Sequence, residues 1–189
     1  KINGKKFGLF FGRLAQIKGL LDVAEILDEF LTKHPSHYFV IIGKDMGYKG
    51  STSLNYILEK VGKHKDRLIY YKEQHHEKLM SVIQKADFIL MPSRVENFPN
   101  ACVEAMSLKK IVIAPRGISF EQLIEDGVSG FLCENANPID LLRVIEKVVN
   151  LPPQKKKEIE LSAGETIKRL DPDITIKKLI DYYESILKK

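Results

Sequence analysis

The chain has few cysteines and no long apolar run, and both shortages limit what it can be. Only two cysteines occur in 189 residues, and Cys102 and Cys133 lack the paired spacing of a zinc site or of a disulfide framework. We expect both to be buried, reduced, small apolar side chains. No stretch approaches the roughly 18 consecutive apolar residues of a membrane-spanning helix, and no secretory signal pattern opens the chain. These features favour a soluble, cytoplasmic protein.

Concentrated charge is also scarce. The formal net charge of +5 is spread along the chain, and its one dense basic run is at residues 155–157, in a stretch of helical period. A nucleic-acid-binding surface would need basic residues gathered on one face together with a known module or interleaved aromatics, and neither is visible. We therefore predict no nucleic-acid partner. A mild positive balance suits a small ligand that carries phosphate.

The length and the 44% hydrophobic content are those of one domain with a sizeable core. The first residue is Lys1 rather than Met, and an apolar run begins almost at once at Phe7. We interpret the chain as a piece whose partner domain is absent.

Short β-rich runs alternate with segments of helical period. Strands are predicted at 7–11, 38–42, 67–71, 88–91, 111–114 and 130–133, and helices at 19–33, 53–62, 76–85, 100–108, 120–126 and 139–150. Parallel strands need crossover connections, and runs such as FVII and FILM are apolar at every position, as in strands covered on both faces. The pattern predicts an α/β fold, a doubly wound parallel sheet with helices on both faces, over residues 1–150.

Residues 151–189 form a different segment, with one charged helix to about Arg169 and a last helix to Lys188. The last helix carries an apolar face at helical spacing, so we expect it to pack on this domain or on an absent one. The face comprises Ile176, Leu179, Ile180, Tyr183 and Leu187.

Ligands of doubly wound sheets bind beyond the carboxyl ends of the strands, so the residues that follow each strand are informative. Gly12 and Arg13 follow the first strand, and Lys18 opens the next helix. Glycine permits close backbone approach, and the two cations with a helix N-terminus suit a diphosphate. An ordinary surface turn with two solvated cations is the alternative.

The segment PSRVENFPNACVEAM, residues 92–106, is the most specific signal. Pro99 fits a first helical position, and free amides from Asn100 onward would point above the strand end. Glu96 and Glu104 are carboxylates eight positions apart, and a carboxylate accepts the paired hydrogen bonds of sugar hydroxyls. Helix capping by Glu96 and solvation of Glu104 would be the structural alternative.

Two other places in the sequence carry weaker signals. Arg116 and Glu121 follow another strand and are weak ligand candidates in a segment rich in turn residues. The sequence Asp171-Pro172-Asp173 imitates a metal-binding pair, but Asp and Pro there end one helix and start the next. No metal site is predicted.

Three segments, GRLAQIKGL, ADFILMPSRVENFPNACVEAM and EQLIEDGVSGFL, resemble the carboxyl-terminal domain of the retaining glycosyltransferases of GT-B fold, group 1 or family 4. The likeness runs over about residues 7–150. It implies transfer of a hexose from a nucleoside diphosphate sugar to a glycan or lipid acceptor, with no further cofactor. It also implies an amino-terminal acceptor domain, inactivity of this half alone, and room for peripheral membrane association of the full-length enzyme.

The resemblance also assigns roles to residues. Glu96 would contact the donor sugar and be tied to catalysis, and Glu104 would hold the ribose. The remaining donor-binding residues implied by the likeness are Gly12, Arg13, Lys18, Phe98, Pro99, Asn100 and Ala101.

Some positions depart from the family pattern. Lys109 and Ile111 replace a usual Gly and Pro, which alters only a turn. Ile118 replaces a frequent glycine near the expected sugar, so the sequence does not identify the sugar. A non-catalytic nucleotide-sugar-binding subunit and a GT-B type sugar-nucleotide epimerase remain alternatives, and a receiver-type signalling domain is disfavoured because Gly12 and Arg13 end the first strand.

Overall fold

A computed structural model describes residues 2–187, and its centre is a sheet of parallel strands. The strands are β1 (Lys6–Phe11), β2 (His37–Ile42), β3 (Leu68–Tyr71), β4 (Phe88–Leu90), β5 (Val112–Pro115) and β6 (Phe131–Cys133). Their order across the sheet is β3-β2-β1-β4-β5-β6, and each neighbouring pair is parallel. The predicted fold class, a doubly wound parallel α/β sheet, is confirmed.

Helices cover both faces of this sheet. They are α1 (Leu20–Lys33), α2 (Ser53–Lys60), α3 (His76–Ile83), α4 (Asn100–Ser107), α5 (Pro138–Val149), α6 (Pro153–Lys168) and α7 (Pro172–Leu187). Short 3-10 turns precede α1, follow α2 and follow β5. Most boundaries lie within one or two residues of those predicted from the apolar periodicity.

Two apolar clusters, one on each side of the sheet, hold the layers together. Along β1, Leu9 and Phe11 belong to one cluster and Phe10 to the other, because successive side chains of a strand point to opposite faces. Leu27 of α1 and Ile145 of α5 are buried on the Phe10 side. Burying side chains of this size contributes about 1.5–3 kcal/mol each, so α1 and α5 are fixed firmly against the strands.

Gly8 of β1 makes room for aromatic packing. A Cβ at this position would lie 2.4 Å from Cζ of Phe88 and 3.2 Å from Cε2 of Phe39. Both rings are almost fully buried. A glycine here is therefore required by the space that the two rings occupy, since the core is packed at crystal-like density.

The two carboxyl-terminal helices behave differently. Helix α6 buries Ile159, Ala163 and Ile167 against the domain and contacts α4. Helix α7 exposes every described side chain from Asp173 to Leu187. The predicted apolar face is thus present but does not pack on the described part of this chain, and the predicted end of the helix at Lys188 lies outside the described residues.

One predicted helix is wrong. The segment 120–126 forms a 3-10 turn at Ser119–Gln122 followed by irregular chain, instead of an α-helix. Asp126 and Gly127 lead directly into the tight connection to β6, in which the N–H of Gly127 donates to the Gly130 carbonyl over 2.8 Å. Turn-forming residues therefore override the helical spacing of the apolar residues.

Candidate functional site

A crevice opens where the strand order reverses. Strands β2 and β4 flank β1 on opposite sides, so the connections that leave β1 and β4 diverge to opposite faces of the sheet. In open α/β sheets, ligands bind in the crevice beyond the carboxyl ends of the strands at this switch point. Gly12 directly follows β1, and Met91 directly follows β4. The topology thus marks this position before any side chain is considered.

A cavity of about 250 Å³ occupies the crevice. Its walls contain seven of the nine residues that sequence analysis proposed for donor binding. These seven are Gly12, Lys18, Glu96, Phe98, Pro99, Asn100 and Ala101. The cavity therefore gathers residues from the β1–α1 connection and from the β4–α4 connection, which are almost eighty positions apart in the sequence.

Lys18 and Glu96 form an ion pair inside this cavity. The Nζ of Lys18 lies 2.5 Å from Oε2 of Glu96, and the two side chains are 25% and 19% exposed. A tight backbone approach makes the pair possible, because a Cβ on Gly19 would lie 1.9 Å from the Pro92 carbonyl oxygen. Gly19 also has a φ of 72°, in the left-handed region that favours glycine. The turn that carries Lys18 therefore lies close to the segment that carries Glu96.

The N-terminus of α4 borders the same cavity. Pro99 is the residue before the helix, with φ −85° and ψ 78°, so its predicted place as the first helical residue is wrong. The N–H of Asn100 donates to the Phe98 carbonyl, and the N–H groups of Cys102 and Val103 donate to the Pro99 carbonyl. Among residues 2–187, the N–H of Ala101 has no such acceptor. This amide and the positive end of the helix dipole favour an anion.

Two proposed residues lie outside the cavity wall. Arg13 is exposed beside Gly12. Glu104 is half-buried on α4, one turn beyond the amides, and its carboxylate makes no hydrogen bond or ion pair within residues 2–187. The structure thus brings Lys18 and Glu96 together in the cavity wall, whereas Arg13 and Glu104 are not part of that wall.

Sequence analysis did not propose the other residues of the cavity wall, which are Phe10, Phe11, Met91, Ser93 and Phe120. It also missed Ser119, whose hydroxyl donates to the backbone carbonyl of Glu96 over 2.9 Å. The Ser119 bond fastens the β5–β6 connection to the loop that carries Glu96. Ser93 could have been found from its place three residues after the end of β4, but nothing in the sequence marks Ser119 as a partner of Glu96.

Arg116 and the two cysteines have structural roles or are unreactive. Arg116 donates to the Leu132 carbonyl over 3.1 Å and lies 3.4 Å from Asp126, so it braces β6. Burial raises the pKa of both Cys102 and Cys133 to about 12. Both are buried free thiols, as predicted, and they stay protonated at neutral pH, which makes them poor nucleophiles.

Within residues 2–187, no group of three His, Cys, Asp or Glu side chains is placed to hold a metal ion. At the start of α7, Oδ1 of Asp171 accepts a hydrogen bond from the N–H of Asp173 over 2.9 Å, which is helix-capping geometry. None of the helices in this part of the chain combines the length and the apolar character needed to cross a bilayer.

Comparisons with known proteins identify the family of the chain. The model of the family described as glycosyl transferases group 1 matches residues 1–163. The chain is 28% identical over 177 residues to an uncharacterized glycosyltransferase of Methanocaldococcus jannaschii, and the match covers 92% of this chain and 45% of that protein. The chain spans less than half the length of the first curated relatives it matches.

Solved structures share the fold. The C-terminal domain of a glycosyl transferase group 1 family protein from Francisella tularensis superposes with a TM-score of 0.73 at 20% identity, covering 87% of this chain and 85% of that one. Anabaena HepE, solved in complex with UDP-glucose, superposes with a TM-score of 0.75 at 21% identity over 97% of this chain and 50% of that one.

Proposed function

This chain belongs to the glycosyl transferases of group 1, and from that premise we propose that it is the donor-binding domain of a retaining hexosyltransferase. The donor is a nucleoside diphosphate sugar, and the acceptor is a glycan or a lipid. The observation that carries the proposal is the cavity at the β1–β4 switch point, which places Lys18, Glu96 and the start of α4 around one small space.

The chemistry follows from where charge develops. Breaking the bond between the sugar and the nucleoside diphosphate leaves negative charge on the diphosphate. Lys18 and the N–H of Ala101 meet that charge, which is stabilisation by groups already in place before the reaction. Glu96 accepts hydrogen bonds from the hexose hydroxyls and orients the sugar, while Glu104 and Arg13 extend the site toward the ribose and the outer phosphate.

The size of the cavity supports a site completed by another domain. About 250 Å³ is below the roughly 300–1,000 Å³ of typical ligand pockets. A space of this size is small for a whole nucleoside diphosphate sugar, so we assign the diphosphate and the sugar to it and the rest of the donor to the surface beside it. We propose that an acceptor-binding domain closes over it, and that residues 1–189 alone bind nucleoside diphosphate and transfer no sugar.

The test uses calorimetry with UDP, GDP and ADP, each beside its nucleoside. We expect one diphosphate to bind, and Lys18→Ala to weaken that diphosphate while leaving nucleoside affinity nearly unchanged, because Lys18 meets phosphate rather than base. Lys63→Ala, at an exposed position on the turn after α2, is the matched control. If the native chain bound none of the three diphosphates, or if Lys18→Ala weakened diphosphate and nucleoside binding equally, the proposal would be contradicted.

A further inference from the structure

Arg94 joins three segments around the cavity without lining it. Its Nη2 lies 2.8 Å from Oδ1 of Asp22, and its Nε lies 3.3 Å from Oδ2 of the same carboxylate. Its backbone N–H donates to the Ile17 carbonyl over 2.9 Å. Its own carbonyl accepts a hydrogen bond from Nδ2 of Asn135 over 3.0 Å. One residue therefore bonds to the β1–α1 connection, to α1 and to the segment after β6.

The ion pair with Asp22 is partly withdrawn from water. The Asp22 side chain is 7% exposed and that of Arg94 is 36% exposed. The hydrogen bond to Asp22 raises the pKa of Arg94 above its ordinary value. A guanidinium fork on a carboxylate fixes orientation as well as distance. The pair therefore holds the two segments at a defined spacing instead of acting as a loose surface contact.

The contacts of Arg94 bracket both charged residues of the cavity. Ile17 immediately precedes Lys18, and Asp22 lies in the first turn of α1, four positions after it. Arg94 itself lies two positions before Glu96. The Arg94 contacts therefore restrain the backbone that carries Lys18 relative to the loop that carries Glu96, because they join the two segments on both sides of Lys18.

We propose that Arg94, through Asp22, is a positioning residue that holds Lys18 at the place where the donor diphosphate binds. This role rests on the proposed function of the cavity. Arg94 does not line the cavity and acts through the placement of Lys18. Its loss therefore lowers affinity for the diphosphate, while affinity for the nucleoside changes little.

The pair Lys33–Glu146 provides a matched control. It joins α1 to α5 at the other end of α1, with 2.7 Å between Nζ and Oε1. Both pairs connect α1 to another segment, but only the Arg94 pair adjoins the cavity. Glu146→Gln should leave diphosphate affinity unchanged.

The experiment measures the affinity of residues 1–189 for UDP, GDP and ADP and for the parent nucleosides, beside melting curves. Arg94→Lys should lower the affinity for the diphosphate roughly five- to tenfold. A lysine cannot reproduce the two-pronged contact of the guanidinium with Asp22, and a small displacement of a binding group such as Lys18 reduces affinity strongly. The affinity for the nucleoside should change less than about twofold, because the nucleoside has no phosphate for Lys18 to bind.

A second variant separates positioning from stability. Arg94→Met combined with Asp22→Leu removes both charges, and apolar replacement of a buried ion pair is often neutral for stability. We expect a melting temperature close to that of the native chain with the same loss of diphosphate affinity. Lys18→Ala should then add little in that background, since Lys18 is already displaced.

The outcomes are distinct. Native-like diphosphate affinity in the double variant, or a full additional loss from Lys18→Ala, would overturn the positioning role while leaving the cavity as a diphosphate site. Absence of diphosphate binding by the native chain would instead overturn the proposed function.

Discussion

Replacing Glu96 with Gln should change the affinity for the bare nucleoside diphosphate and the affinity for the nucleotide sugar in opposite directions. The ammonium group of Lys18 lies 2.5 Å from the Glu96 carboxylate. A bare nucleoside diphosphate competes with that carboxylate for Lys18 and is repelled by its charge. Removing the charge relieves both effects, so Glu96→Gln should tighten the binding of UDP or GDP.

The burial of the pair sets the magnitude. Fully exposed ion pairs contribute about 0.2–1 kcal/mol, and hydrogen bonds to charged groups contribute about 1.5–3 kcal/mol. With side chains 25% and 19% exposed, the pair lies between these classes. We expect a gain of about 1 kcal/mol, which is about fivefold in affinity.

For the nucleotide sugar, the change in affinity caused by Glu96→Gln should have the opposite sign. The Glu96 carboxylate accepts charge-assisted hydrogen bonds from the hydroxyl groups of a hexose. The neutral amide of glutamine is a weaker acceptor. The nucleotide sugar should therefore lose affinity in Glu96→Gln while the bare diphosphate gains it.

The assay is calorimetry of the same preparation with the diphosphate and with the corresponding nucleotide sugar. Glu125→Gln is the control, because it removes one negative charge from an exposed side chain outside the cavity. A weaker or unchanged affinity of Glu96→Gln for the bare diphosphate would refute the competition between Glu96 and phosphate. An equal gain in Glu125→Gln would show a non-specific charge effect.

Three further predictions concern single positions. Glu104→Gln should weaken nucleoside diphosphate binding by about 1.5–3 kcal/mol with little change in melting temperature, because it removes a charged acceptor from the ribose; normal binding by calorimetry would make Glu104 a structural helix residue. Gly8→Ala should lower the free energy of unfolding by about 1–3 kcal/mol in urea titrations, since a methyl group collides with the Phe88 ring; an unchanged midpoint would mean that the ring moves freely. Burial lowers the pKa of His37, so the unfolded chain binds more protons below pH about 6.5, and stability should fall as the pH drops through the lowered folded value. His37→Gln should flatten that slope between pH 7 and 5, and an unaltered slope would assign it to other groups.

The fold was largely predictable because its signals are local. Apolar runs such as the one that forms β2 are bounded by turn residues, and the periodicity of α1 matches the side chains that it buries. The failures are local conflicts. Ser119–Gln122 has helical spacing, but the turn chemistry after it stops the helix, and Pro99 lies one position outside α4.

The site was predictable only in part, because its key contacts join distant segments. Lys18 and Glu96 each stood out by residue type and by position after a strand, yet their ion pair depends on the packing of Gly19 against Pro92. Arg94 and Asp22 are 72 positions apart. No feature of the sequence around either residue indicates that the two form an ion pair. Such pairings arise from the tertiary arrangement, so a single sequence does not reveal them.

The exposure of α7 divides the chain into parts that should open to solvent at different rates. An isolated helix of about this length is marginal in water, because its nucleation is costly and tertiary packing normally supplies its stability. Amide protons of α7 should therefore exchange through local opening, with protection far below that of α1, whose apolar side is fully buried. The melting transition of the chain then reports on the sheet and on the helices packed against it, and is almost independent of whether α7 is helical.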